Sequence, residues 1–243
     1  MKRQRNIYDT QSEKPFKLSR SKLELFTECP RCFYLDRRLG VGRPPGFPFT
    51  LNTAVDALLK KEFDIHRAKS EPHPLMREYN IPAIPFAHND LDKWRENFVG
   101  VQYLHEPTNF IITGAVDDIW INTAKELIVV DYKATSTTQV ISLDSEYRQA
   151  YKRQMEIYQW LLRRNGFKVS DVGYFVYVNG KTDKKAFDKK LEFDVQLLPY
   201  KGNDVWVEKT IFAASQCLHS AKLPKSKDDC AYCEYIKDAT KEL

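Results

Sequence analysis

Gly114-Ala115-Val116-Asp117-Asp118-Ile119-Trp120-Ile121, followed by Leu127-Ile128-Val129-Val130-Asp131-Tyr132-Lys133, decides the reading of this chain. Both runs are strand-like and both carry acids. Side chains alternate faces along a strand, so Asp131 and Lys133 point the same way, with Cα atoms about 6.5 Å apart, and Tyr132 points the other way. Two carboxylates and a lysine on one face suit the binding of a divalent metal beside a water that must lose a proton.

Pairing the runs as an antiparallel hairpin tests this geometry. Directly opposed residues share a face. Asp117 opposes Asp131 if residues 122–126 form a five-residue loop, an ordinary hairpin length. A four-residue loop would set Asp117 against Val130 and divide the acids between faces. The competing reading places Asp117, Asp118 and Asp131 on a solvated strand end; the Ile/Val-rich surroundings argue against it. Two clustered carboxylates should repel, so without metal Asp131→Asn is expected to be neutral or stabilising.

The 243 residues are 42% hydrophobic and 29% charged, which fits a globular chain with one sizeable core. No apolar run reaches membrane-helix length. The first residues, Met1-Lys2-Arg3-Gln4-Arg5-Asn6, lack the apolar segment of a secretory signal, so a cytoplasmic location and no membrane partner are expected, with the five cysteines reduced or metal-bound. A net charge of +5 is compatible with nucleic acid but weak evidence for it.

Residues 1–17 read as a flexible basic arm, and 18–243 as one domain. Ser21-Lys22-Leu23-Glu24 has the form of a capping box, opening a helix towards Cys29; Pro30 interrupts it and the pattern resumes over 31–39. A Gly/Pro loop follows to Pro48, then a helix over 52–69 with Val55, Leu59 and Phe63 as its stripe. Four prolines over 70–90 predict an extended segment with little regular structure. A short helix is expected over 91–100, strands over 110–121, 126–134, 172–178 and 189–198, and helices over 145–164 and 203–221. This order implies an α/β fold, a mixed central sheet flanked by helices.

Asp56 lies close to the apolar stripe of its helix and needs a metal or a basic neighbour if buried, or else reaches solvent from the stripe's edge. Tyr147, Tyr151, Gln154, Tyr158, Leu161 and Leu162 line one stripe of the 145–164 helix, flanked by Arg148, Lys152, Arg153, Arg163 and Arg164. Core packing explains any one tyrosine; the set, with its basic flanks, also suits nucleic acid. Cys29-Pro30-Arg31-Cys32 and Cys230-Ala231-Tyr232-Cys233 are two C-x-x-C pairs, a metal-site signal that would pin 18–40 against 203–235. Cys217 reads as a buried apolar residue, with a substitute ligand as the alternative. His66, His73, His88, His105 and His219 lack ligand spacing and read as packing or surface.

The ordered set of a helix bearing Asp56, Gly114-x-x-Asp117, Asp131-Tyr132-Lys133 and Gln154-x-x-x-Tyr158, with Ser19 to Arg31 and the flanking cysteines, resembles the PD-(D/E)XK nuclease superfamily and its RecB-like branch. It is similar to CRISPR-associated RecB-like exonucleases and to helicase–nuclease subunits. The resemblance implies a restriction-endonuclease-like core and a metal-dependent nuclease. The expected substrate is DNA, single-stranded or at ends, in repair, recombination or CRISPR-type processing, with a recombination, helicase or CRISPR protein as possible partner. It implies that Asp117, Asp131 and the Tyr132 carbonyl bind Mg²⁺ or Mn²⁺, that Lys133 positions and helps deprotonate water, that Gln154 holds water or phosphate, and that Tyr158 contacts the strand. Where the family commonly has a histidine ligand, this chain has Asp56, a hard oxygen donor. For Cys29, Cys32, Cys230 and Cys233 the family implies a [4Fe–4S] cluster, while paired C-x-x-C spacing suits Zn²⁺ equally. A weakly active or inactive binding module on the same fold is the alternative.

Overall fold

The computed structural model describes residues 6–46, 50–145 and 148–241. The start of the basic arm, Pro48 and Tyr147 therefore lie outside the described residues. In chain order the elements are β1 (Phe16–Ser19), α1 (Arg20–Glu28), α2 (Pro30–Arg37), α3 (Thr50–Lys69), α4 (Pro74–Glu78), β2 (Ala83–Pro85), α5 (Leu91–Arg95), β3 (Val101–His105), β4 (Phe110–Gly114), β5 (Asp118–Asn122), β6 (Leu127–Thr135), α6 (Gln149–Arg164), β7 (Val172–Gly180), β8 (Phe193–Lys201), α7 (Val205–His219) and α8 (Ala231–Ala239). The contacts form two compact units. One comprises Met1–Phe47, Gln102–Thr113 and Val205–Leu243, the other Pro48–Val101 and Gly114–Asp204. No helix among the described residues is long and apolar enough to cross a membrane.

The second unit is built on a mixed sheet in the order β2-β5-β6-β7-β8, with only the β6–β7 pair parallel among these described strands. α6 connects those parallel strands. β6 is buried along Leu127 to Tyr132, because both of its faces are covered. On one face Leu59 and Phe63 of α3 pack against Trp120, Ile128, Val130, Tyr132 and Val176. On the other, Gln154 of α6 bonds Asp131, and a Cβ on Gly173 would stand 2.5 Å from the Met155 sulfur. The two edge strands hold Pro85 and Pro199, where a missing N–H is tolerated.

The β5–β6 register pairs Asp118 with Val130 and Ile121 with Leu127, the register expected from the sequence. Asn122 closes the turn: its side chain accepts from the Glu126 amide, and Lys125 takes a positive φ. The single strand expected over 110–121 divides instead, because its halves join different sheets. β4 pairs with β1, while Val116 donates its amide to the Trp94 carbonyl before β5 begins. Gly114 is needed at the break: a Cβ there would approach the Tyr158 ring to 2.6 Å.

Other expectations shift for local reasons. The proline-rich 70–90 segment contains α4 and β2, since Pro74 occupies the first turn of α4, a permitted position, and the His73 side chain caps that helix by accepting from the Leu75 amide. β8 begins at Phe193, after Asp188 and Lys189 turn with positive φ. α6 is buried on all sides from Gln154 to Leu162 rather than along one stripe.

In the first unit, β1, β4 and β3 form a three-stranded sheet with β1 parallel to β4. Ahead of β1, Tyr8 packs edge-on against Phe16 and Phe110, and its hydroxyl meets His219 at 2.8 Å. The capping box does not form. β1 runs directly into α1, so Ser21 lies inside the helix and Ser19 caps it without a side-chain bond. The tail carries α8, which the sequence reading left without structure.

Asp118, read as a possible solvated acid, is fully buried on the α3 face of the sheet. It pairs with Arg67 and Arg95, the latter at 2.8 Å, and accepts from the Tyr132 hydroxyl at 2.9 Å. Removing one partner of a buried ion pair strands the others, so Asp118→Ala should lower unfolding stability by about 3 kcal/mol. Denaturant unfolding checks this; a loss under about 0.5 kcal/mol would contradict the role.

Candidate functional site

Asp131 and Lys133 project from β6 on the α6 face, and Asp117 arrives from the turn before β5. The Asp131 side chain is 0% exposed, and its Oδ2 forms an ion pair with the Lys133 ammonium. Its Oδ1 accepts from Gln154 Nε2 at 2.8 Å, and the same amide donates to the Tyr158 hydroxyl at 3.0 Å. Asp117 Oδ2 accepts from the Tyr132 backbone amide at 2.9 Å, which fixes that carboxylate beside β6. Lys133 lies over the Tyr151 ring, 4.6 Å from its centroid. Asp56 of α3 pairs with Lys60 at 2.8 Å, one helical turn on, and Lys60 also stands 4.0 Å from Asp117.

The structure therefore gathers Asp56, Asp117, Asp131, Lys133, Gln154 and Tyr158 within one unit. Gln154 donates its amide to Asp131 and Tyr158. Tyr158 is buried, its ring close against Gly114. Tyr132 sends its side chain to the opposite face, as the alternation requires. Lys60 escaped the sequence reading, although its i+4 spacing from Asp56 was available as a signal.

Electrostatics explain the state of each group. Burial, with the Asp131 charge beside it, raises the Asp117 carboxyl to about 6. Burial and then the charge of Asp117 raise Asp56, although Lys60 opposes the rise. Burial works to lower Lys133, but Asp131 and Asp117 more than offset it and the net shift is upward. In the metal-free protein Lys133 is thus held in its ammonium form, where it balances the two carboxylates.

The donors fit a hard divalent cation. All are oxygens, and Oδ2 of Asp131 is buried without a hydrogen-bond partner, its charge met by Lys133 alone among the described contacts. Among the described residues the three carboxylates do not form a tight ligand cluster, and Lys60 stands 2.8 Å from Asp56 and 4.0 Å from Asp117. Asp56, Asp117 and Asp131 would hold the cation, with the Tyr132 carbonyl as a further oxygen.

In the first unit the four cysteines meet. Cys29 caps α2 and Cys230 caps α8, so each C-x-x-C pair straddles a helix N-terminus, whose positive end favours thiolate. Burial opposes ionisation of Cys29, yet hydrogen bonds from the Cys32 and Lys227 amides and from neighbouring thiols draw it down to about 7. Arg43 Nη2 lies 3.7 Å from Cys230 Sγ and its Nη1 pairs with Glu28. Cys217 lies outside the quartet, facing the Pro30 carbonyl at 3.9 Å, and burial pushes its thiol up to about 11. The histidines pack: His73 stacks on Phe63 at 4.1 Å and His88 on Trp94 at 4.3 Å.

Burial of the Asp131–Lys133 pair reverses the expectation for Asp131→Asn. Without added divalent metal it should destabilise by about 3 kcal/mol, because Lys133 loses its direct ion-pair partner. Asp117→Asn should instead be neutral or stabilising at pH 7. A carboxyl raised from 3.8 to about 6 binds more protons folded than unfolded, so its ionisation lowers stability as pH rises from about 4 to 6. Asparagine removes that slope. Denaturant unfolding at pH 5 and 7 checks both; equal effects of the two substitutions would contradict the assignment.

A solved structure titled "Crystal structure of SSO0001" is similar at 14% identity and a TM-score of 0.47, covering 97% of this chain and 90% of that one. No curated protein matches. The family model described as "PD-(D/E)XK nuclease superfamily" matches residues 17–237, which includes the acids, Lys133, Gln154 and all four cysteines of the quartet. Their order and geometry agree with that match, and the chain belongs to the PD-(D/E)XK nuclease superfamily.

Proposed function

We propose that the chain hydrolyses phosphodiester bonds of DNA at the acidic site beside β6. The observation that supports this most is the buried Asp131–Lys133 pair, oriented by Gln154 and accompanied by Asp117. Mg²⁺ or Mn²⁺ would supply Lewis acidity, lowering the pKa of the attacking water and offsetting charge on the phosphate. Asp117 and Asp131 would hold the cation, with Asp56 and the Tyr132 carbonyl as further oxygen donors.

Lys133, an ammonium in the metal-free protein, positions the water and balances the charge that grows on the phosphate oxygens. Gln154, braced by Tyr158, fixes the rotamer of Asp131. Tyr151 and Lys152, part-exposed on α6, are placed to meet the DNA backbone and its bases. The finer reading follows the sequence resemblance: a RecB-like exonuclease on single strands or ends, in repair, recombination or CRISPR-type processing, with a protein partner from those systems.

Lys60 favours a second reading, a nucleic-acid-binding module of weak activity, because its ammonium already neutralises Asp56 and stands near Asp117. Incubation with labelled single-stranded and duplex DNA and Mn²⁺ separates the two. The nuclease reading expects cleavage by the wild type, a loss of about 100-fold or more in Lys133→Ala, and a rate that rises with pH through about 6 as Asp117 ionises. No cleavage with Mg²⁺ or Mn²⁺ on either substrate would overturn it. Cleavage by Lys60→Ala alone would establish the second reading.

A further inference from the structure

The sulfurs of Cys29, Cys32, Cys230 and Cys233 all lie within 4.8 Å of one another. Three of their separations are 3.6 Å for Cys32–Cys230, 3.7 Å for Cys32–Cys233 and 3.8 Å for Cys29–Cys233. A single tetrahedral ion bonded to thiolates at about 2.3 Å fixes sulfur–sulfur edges near ~3.8 Å, because a tetrahedron's edge is about 1.63 times its centre-to-vertex distance. These three spacings match that edge, and the remaining ones stay within 4.8 Å.

A four-iron cube places its own atoms between the cysteines. Each thiolate binds a different corner iron and points outward from it, so the sulfurs stand apart by the width of the cube plus the outward splay of the bonds. A two-iron rhomb separates its two cysteine pairs in the same manner. Four sulfurs gathered within 4.8 Å leave no space for either core. A disulfide is also excluded for these pairs, since its sulfurs approach to about 2.05 Å.

We propose that the quartet holds one mononuclear zinc ion, in place of the iron–sulfur cluster that the family resemblance implies. A single iron would satisfy the same geometry, but zinc binds such a site more tightly than Fe²⁺ in the Irving–Williams order. Four thiolates around a divalent ion carry net negative charge, and Arg43, held by Glu28 and stacked 4.4 Å over Tyr232, places its guanidinium against Cys230 to offset it. The zinc ties two segments 197 residues apart in sequence, a redox-inert clamp within the first unit.

The test uses the full chain, expressed with both iron and zinc supplied and purified without oxygen. The expected result is a colourless protein with one zinc per chain, no labile sulfide, and the intense visible bands of a tetrahedral tetrathiolate when Co²⁺ replaces the zinc. Cys217→Ser should keep this stoichiometry and Cys233→Ser should lose it; if the latter fails to fold, the cobalt spectrum of the wild type decides. A brown protein with matching iron and sulfide, a red single-iron protein, or a metal-free chain with the cysteines joined as disulfides would each overturn the proposal.

Discussion

Charge buried in a sheet that is covered on both faces governs the second unit. β6 carries Asp131 and Lys133 into an interior where neither would survive alone, because an isolated buried charge costs several kcal/mol and a paired one is tolerated only when its remaining bonds are satisfied. Lys133 supplies the pair and Gln154 the remaining bond. The demand spreads outward: Gln154 must be braced by Tyr158, and the Tyr158 ring must lie where residue 114 has no Cβ.

The same constraint operates on the opposite face with a different outcome. Asp118 is one residue from Asp117, yet it is clamped by Arg67, Arg95 and Tyr132, with both of its oxygens bonded. Asp117 accepts from one backbone amide and stands beside a carboxylate, and Lys133 and Lys60 offset burial only in part, so its proton is held up to about 6. Full pairing makes the first acid part of the scaffold. Partial pairing would leave the second available to a cation. Strand alternation thus turns an Asp-Asp dipeptide into one fully paired and one partly paired group.

The features set by local periodicity were readable from the sequence. The Asp131–Lys133 face, the β5–β6 register and the two C-x-x-C pairs depend on spacing along a strand or helix start. What escaped depends on partners distant in sequence. Asp118 looked solvated because its arginines arrive from α3 and α5. The strand over 110–121 looked continuous because nothing local says that its halves join different sheets. Prolines hid α4 and β2 by standing at the first turn of a helix and in an edge strand, the positions that accept them. The two expectations for Asp131→Asn differ because like-charge repulsion is visible in the sequence, whereas burial of Lys133 is not.

The central claim is that Asp117 and Asp131 form a cation site whose charge Lys133 and Lys60 balance in the metal-free protein. Calorimetric titration with Mn²⁺ at pH 5 and pH 7 measures this directly. The account predicts saturable binding that tightens at the higher pH, where Asp117 gives up its proton, and that Asp117→Asn abolishes. Absence of binding at either pH, or binding unchanged by that substitution, would contradict it.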